Sequence, residues 1–270
     1  MTDLFDKLHS ADGKGVKVAV IDSGVDINHP WMGGRVTESW AARKNGDSYE
    51  VVPTEVGDLI GHGTAIAGNI RRFVPAADII SIRIFRAGLR ADSEALLAAL
   101  GWLVDQDVNV VNLSLSTMRI QLALKIGHAI DDLCARNVSC VCARGYHLTG
   151  RAYPTDFAST IAVSYKKLRH AELAFRPMDS VEFDAAGIDL EVAWKPDKSG
   201  SIGTKVVQGS SYACPLVTGL AARFISLKND LTPYEVKSLL KAYAERQAEG
   251  WWEPWMDGVA ASPDQAKAPA

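Results

Sequence analysis

Long apolar runs are missing from this chain. Nowhere do apolar residues approach the ~18 in succession that a membrane-spanning helix needs, so no bilayer is expected as a partner. Positive charge is not in excess either: 29 Lys and Arg face 32 Asp and Glu, for a net charge of −3. That balance argues against nucleic-acid binding driven by phosphate attraction and against a polybasic membrane patch, since both need a basic surface. Cysteine is scarce, and Cys134, Cys140, Cys142 and Cys214 show neither C-x-x-C nor a zinc-ligand spacing. Cys140 and Cys142 lie in an apolar run, and all the cysteines read as small packing residues in a reducing compartment. The opening Met1-Thr2-Asp3-Leu4-Phe5 lacks the basic start, apolar centre and small-residue cleavage pattern of a leader peptide. Internal repeats and low-complexity blocks are absent as well.

What is present is ordinary globular composition, 47% hydrophobic and 23% charged over 270 residues. A chain of that size builds a large core without a disulfide or metal staple. Short apolar runs predict strands at 15–21, 77–85, 108–115, 138–143 and 159–163, and a β-like stretch over 181–190 is broken at Gly187. Helices are expected at 93–104, capped by Ser93 with Leu96, Leu97, Leu100 and Leu103 on one face, and at 122–136, where Ile126, Ile130 and Leu133 recur at helical spacing. Two more are expected at 211–227 and 233–246, the last with Pro233 in its tolerant first turn. Strands alternating with helices, each strand a continuous apolar run, give an α/β fold with a mostly parallel sheet flanked by helices on both faces. One domain is expected over 1–258, followed by a flexible C-terminal tail at 259–270 where the composition turns polar and Ala- and Pro-rich. Trp251, Trp252 and Trp255 crowd ahead of that tail. Their size makes them a latch onto the body, with a partner surface as the alternative reading.

In open α/β sheets, sites form where strands end and helices begin. Three such places carry the residue types of one reaction. Asp22 ends the first strand, His62 sits in the glycine turn Gly61-His62-Gly63-Thr64, and Ser211 sits in Gly209-Ser210-Ser211-Tyr212-Ala213-Cys214-Pro215. Singly, these residue types are common caps and turn residues. Together they meet a chemical need: a serine hydroxyl is a poor nucleophile until an imidazole takes its proton and a carboxylate fixes the imidazole's tautomer.

The three segments resemble the motifs of the subtilases, the subtilisin-like serine peptidases. Asp22-Ser23-Gly24 is similar to the family's D-[ST]-G, and His62-Gly63-Thr64 through Ala67-Gly68 to its H-G-T-x-x-A-G. Gly209 to Pro215, with Val217 and Gly219, resembles the serine motif, and Asn112-Leu113-Ser114-Leu115 the substrate-lining strand. The chain order Asp, His, Ser is also that of subtilisin. The resemblance covers roughly residues 10 to 260 and implies a three-layer subtilisin-like fold, with 1–258 as the catalytic domain. It implies that Asp22 orients, His62 acts as general base and then acid, and Ser211 attacks. It further implies an extended peptide or protein substrate bound by Ser114, Leu115 and Ser116 on one side and Ala143, Arg144, Gly145 and Ala152 on the other.

Departures from the family pattern raise specific questions. Tyr146 falls where the family places an Asn that donates, beside the Ser211 N–H, to the oxyanion. Three accounts stand: the phenol donates instead, His147 or another local donor takes over, or the site is slow or dead. Arg144 either points to solvent or meets an acidic substrate group. The calcium-binding insertion of many extracellular relatives is absent after the histidine motif. Asp131, Asp132 and Asp179 to Asp184 read as solvated charges rather than oxygen cages, so neither metal nor cofactor is expected. With no leader, propeptide or calcium loop visible, a cytoplasmic enzyme or a trimmed chain is expected. The function implied is a serine endopeptidase acting on a protein or precursor peptide through an acyl-enzyme. A ligase or macrocyclase using the same intermediate, and a catalytically impaired peptide-binding homologue, are the alternatives.

Overall fold

A computed structural model describes residues 2–86, 88–145, 150–195 and 203–259. Its centre is a sheet of β1 (Lys17–Asp22), β2 (Val36–Asn45), β3 (Ser48–Pro53), β4 (Asp78–Arg83), β5 (Val110–Leu113), β6 (Ser139–Ala143), β7 (Thr160–Lys166), β8 (Leu173–Phe175) and β9 (Phe183–Ala186), in the spatial order β3-β2-β4-β1-β5-β6-β7-β9-β8. From β2 to β9 neighbouring strands run parallel, and antiparallel β3 and β8 close the two edges. The β-like stretch 181–190 does break at Gly187: β9 ends at Ala186, and Leu190 opens β10 (Leu190–Trp194), which pairs with β11 (Gly203–Val207) in a separate hairpin.

Both faces of the sheet are buried, as continuous apolar strands require. Val18 and Val20 of β1 point into a core shared with α2 (His62–Phe73), α5 (Ser210–Leu227) and α6 (Pro233–Ala248). Ala19 and Ile21 point the other way, against α3 (Ser93–Leu103) and α4 (Ile120–Ala135). Leu96, Leu100, Leu103, Ile126, Ile130 and Leu133 are all buried there, on the faces their spacing predicts. Cys140, Cys142 and Cys214 are buried free thiols, and Cys134 is half-buried.

Several expectations change in detail. Asp92, not Ser93, stands at the N-cap of α3, and the Ser93 hydroxyl instead bonds the Thr117 hydroxyl at 2.8 Å. The β2–β3 hairpin was not foreseen, because VTESWAARKN, the strand next to the sheet edge, is half-exposed and carries no apolar periodicity. Asp184, read as a solvated charge, is 1% exposed and lies between Arg176 and Lys166, whose cations compensate its burial. Among the described residues, no group of His, Cys, Asp or Glu is arranged to hold a metal ion, and no helix is long and apolar enough to cross a membrane.

The tryptophan-rich segment ahead of α7 (Pro254–Gly258) is a latch, as its bulk predicts. Trp251 packs edge-on against Phe5 of α1 (Thr2–Lys7) at 5.9 Å and against Tyr243 at 5.4 Å, while Phe5 meets Phe224 of α5 at 5.5 Å. The buried Arg223 guanidinium donates to Leu8 O at 2.8 Å and Phe73 O at 2.9 Å and lies under Trp255. Of the tail expected at 259–270, Val259 is buried in the core, and the residues from 260 onward lie outside the described residues. Phe224 is fully buried at the junction of these elements, so Phe224→Ala is expected to cost about 3–5 kcal/mol of stability, measured by urea unfolding.

Candidate active site

The first strand delivers Asp22 to the carboxyl edge of the sheet, fully buried. Its backbone carbonyl accepts from Ile84 N at 2.8 Å, and its Oδ1 accepts from Ser23 N at 2.7 Å, so the side chain is held close to its own loop. His62 is the first residue of α2 and is 3% exposed. Its Nδ1 lies 2.7 Å from Asp22 Oδ1. An ionised carboxylate only accepts, so Nδ1 carries the proton and Nε2 is left as the basic nitrogen. Asp22 Oδ2 has no donor among the described residues.

Glycines allow this approach. Gly61 precedes His62 at φ 101, in the left-handed region, and a Cβ there would come within 2.9 Å of the Trp194 ring. A Cβ on Gly63 would stand 2.1 Å from Gly24 O, so the two loops touch backbone to backbone.

Asp58 locks them together. Its Oδ1 accepts from Ser23 Oγ at 2.8 Å, Ile60 N at 2.9 Å and Gly61 N at 2.7 Å, and its Oδ2 from Thr64 N at 2.8 Å and Thr64 Oγ1 at 2.7 Å. Ser23 Oγ in turn accepts from Gly63 N at 2.9 Å. Asp58 therefore satisfies the orphan amides at the start of α2 and ties that start to the Asp22 loop. Sequence reasoning did not single out Asp58. Its one trace is an acidic residue just ahead of the glycine turn, a pattern shared with many ordinary helix starts.

Ser211 is the second residue of α5, after Gly209 at φ 136. It is braced against β5 reciprocally: Ser211 Oγ donates to Ser114 O at 3.2 Å, and Ser114 Oγ donates to Ser211 O at 2.9 Å. Behind them Asn112 Nδ2 donates to Ser114 Oγ at 2.9 Å, and Thr218 Oγ1 to Asn112 Oδ1 at 2.9 Å. The Ser211 hydroxyl thus hydrogen-bonds the Ser114 carbonyl and not the imidazole.

Both His62 and Ser211 line one cleft of about 900 Å³, whose walls include Ser114, Leu115 and Ser116. Aromatic rings hold the imidazole from two sides, Tyr212 with centroids 5.2 Å apart and Phe85 edge-on at 6.5 Å. Burial, helped by the Asp22 charge, pushes the Tyr212 phenol up to about 12, so it stays protonated at neutral pH. Sequence reasoning missed this ring too.

The other predicted residues lie beyond β6. Ala143 ends that strand, buried, and Ala152 is buried as well. Arg144 takes neither of its two expected courses. Its guanidinium pairs with Asp156 and donates to Gly150 O at 2.7 Å, and Asp156 Oδ2 also accepts from Ala152 N at 3.0 Å. An internal acid twelve residues downstream thus occupies it. Ala143, Arg144, Gly145 and Ala152 are not among the residues lining the cleft. Tyr146 and His147 lie outside the described residues.

Burial is the largest influence on His62 and disfavours its imidazolium. The Asp22 charge, the Asp22 hydrogen bond and the more distant Asp58 together outweigh it and hold His62 above its ordinary value.

The chain can now be compared with known proteins. The model of the subtilase family matches residues 13–254. The chain belongs to the subtilase family. Subtilisin NAT of Bacillus subtilis subsp. natto is 26% identical over 257 residues, a match covering 88% of this subtilase and 63% of that longer protein. An intracellular serine protease of Paenibacillus polymyxa is 26% identical over 249 residues, covering 84% and 73%. Among solved structures, a cold-adapted subtilisin-like serine proteinase superposes with a TM-score of 0.69 at 26% identity, covering 86% of this chain and 82% of that one. Sphericase superposes at 0.71 with 20% identity over 86% and 83%, a likeness of fold. The three-layer subtilisin-like architecture expected from the motifs is the one found.

Asp22→Asn removes the charge that opposes burial and leaves only a neutral amide oxygen to accept from Nδ1. The His62 titration midpoint, followed by proton NMR of the imidazole, is expected to fall from above ~6.5 toward lower pH.

Proposed function

We propose that this subtilase is a serine endopeptidase that cleaves an extended peptide through an acyl-enzyme, with Ser211 as nucleophile, His62 as base and acid, and Asp22 as the orienting carboxylate. The observation that carries the reading is the buried 2.7 Å contact between His62 Nδ1 and Asp22, which leaves Nε2 basic in the cleft that Ser211 also lines. Rotation about the Ser211 Cα–Cβ bond takes its hydroxyl from Ser114 O toward that nitrogen. Catalytic hydrogen bonds are often long or unmade until substrate arrives.

The steps follow. Ser211 Oγ attacks the substrate carbonyl carbon as its proton passes to His62 Nε2. The C–N bond breaks as His62 returns that proton to the leaving amine. Water then attacks the ester, gives its proton to His62, and the acid departs as Ser211 is reprotonated. Ser211 N–H, at the positive start of α5, supports the oxyanion, and the second donor is sought at Tyr146, where the resemblance puts the donating Asn, with His147 or another local donor as the alternative. The enzyme works in a reducing, intracellular compartment. Its free cysteines and the relative named as an intracellular serine protease support that placement.

A fluorophosphonate probe is expected to label Ser211 in the folded protein and not in Ser211→Ala, whose turnover drops by about 10⁴-fold or more. No labelling would leave a peptide-binding homologue in place of an enzyme. Cyclic product without linear acid, seen by mass spectrometry, would leave a ligase. Because only neutral imidazole accepts the serine proton, activity is lost as pH falls through the raised His62 value, with the half-maximal rate above ~6.5. Tyr146→Phe is expected to cut turnover ~10-fold or more, checked by steady-state kinetics.

A further inference from the structure

Part of the cleft wall is basic, in a protein whose net charge is −3. Arg86 and Arg90 line the cleft itself. Arg86 also lines a second cavity of about 390 Å³, with Arg43, Lys44 and Arg83 and no acidic residue. The two cavities therefore meet at Arg86.

The local acids are already engaged. Asp92, the one acid on the cleft wall, accepts from the Tyr49 hydroxyl and lies 3.9 Å from Arg86. Glu50 is taken by Arg43 at 2.9 Å. Arg83 is half-buried, its Nε is shielded, and it has no hydrogen-bond or ion-pair partner among the described residues. Lys44 and Arg90 likewise have no ion-pair partner there. A guanidinium partly withdrawn from water without an acceptor is costly unless a ligand completes it. Like charges gathered on low-dielectric walls also focus a positive potential along the groove. Deeper in the cleft Phe85, Leu96 and Leu115 offer an apolar floor. A ligand there is a chain with an apolar stretch and a negative flank.

We propose that this wall selects peptide substrates carrying Asp or Glu residues a few positions away from the scissile bond, with Arg83, Arg86, Lys44 and Arg90 receiving their carboxylates. The proposal deepens the endopeptidase reading and rests on it for the direction of cleavage, but the charge preference is measurable without turnover.

The test uses internally quenched peptides of one central sequence, flanked on either side by a short run of Glu, Gln or Lys. With wild-type protein at low salt, a Glu flank on one side is expected to raise kcat/KM about tenfold over Gln, with Lys below both. The difference should shrink toward unity near 1 M salt, where the Debye length is ~3 Å. In parallel, binding of the same peptides, fluorescently labelled, to Ser211→Ala is read by anisotropy. Glu-flanked peptides that bind tighter but are not cleaved by the wild type would sustain the charge selection and overturn the peptidase reading. Equal cleavage of all flanks, or a Lys preference, would overturn the selection and leave the peptidase intact. Neither binding nor cleavage would overturn both. The exposed pair Lys44→Glu and Arg90→Glu, checked for an unchanged melting curve, is expected to abolish or reverse the Glu-to-Lys ratio. An unmoved ratio would remove these residues from the role.

Discussion

The buried contact between Asp22 and His62 is the constraint around which the rest of the site is arranged. Withdrawing an imidazole from water favours its neutral form, and a carboxylate beside it favours the charged one. Here the carboxylate prevails, so the ring is both oriented and primed to receive a proton. Such a balance is useful only if the distance is kept, and two side chains from different segments do not keep 2.7 Å unaided. The Ser23–Asp58–Thr64 network and the contact of Gly63 with Gly24 O keep it. Ser211 is secured by separate means, through Ser114 and Asn112 on β5. His62 and Ser211 are thus held from different parts of one sheet framework, by separate hydrogen-bond networks.

Much of this was legible in the sequence, for a definable reason. Asp22, His62 and Ser211 each stand at a junction where an apolar strand or small-residue helix meets a glycine turn, and both sides of such a junction leave strong local marks. The parallel strands were legible because burial on both faces leaves continuous apolar runs, and the apolar faces of α3 and α4 because burial on one face imposes a period. What escaped has no such mark. The hairpin of β2 and β3 is half-wet and mixed in polarity, so its residues report neither alternation nor a continuous run. Asp58 sits in a polar loop where an acid is unremarkable until its acceptors find the amides of Gly61 and Thr64. Asp184 and Asp156 were opaque because their partners, Arg176 with Lys166 and Arg144, lie at separations that no helical or strand period predicts.

The hairpin brings Arg43 and Lys44 to the cavity that adjoins the cleft at Arg86, and Tyr49 to Asp92 on the cleft wall. A composition that is slightly acidic overall says nothing about how charge is distributed. Here β2, next to the sheet edge, gathers Arg43 and Lys44 with Arg83 and Arg86 around one cavity that no acidic residue lines. The buried site at the sheet's centre and the half-exposed hairpin at its margin are therefore under very different packing constraints.

Phe5, Leu8, Trp251 and Trp255 all fasten onto α5 or its neighbours, through Phe224, Tyr243 and the buried Arg223. The helix that carries Ser211 in its first turn is thus gripped at its far end by an early and a late segment of the described polypeptide. A break in either packed segment would then loosen the far end of α5, so the grip of Phe5, Leu8, Trp251 and Trp255 bears on how firmly the whole length of that helix is held.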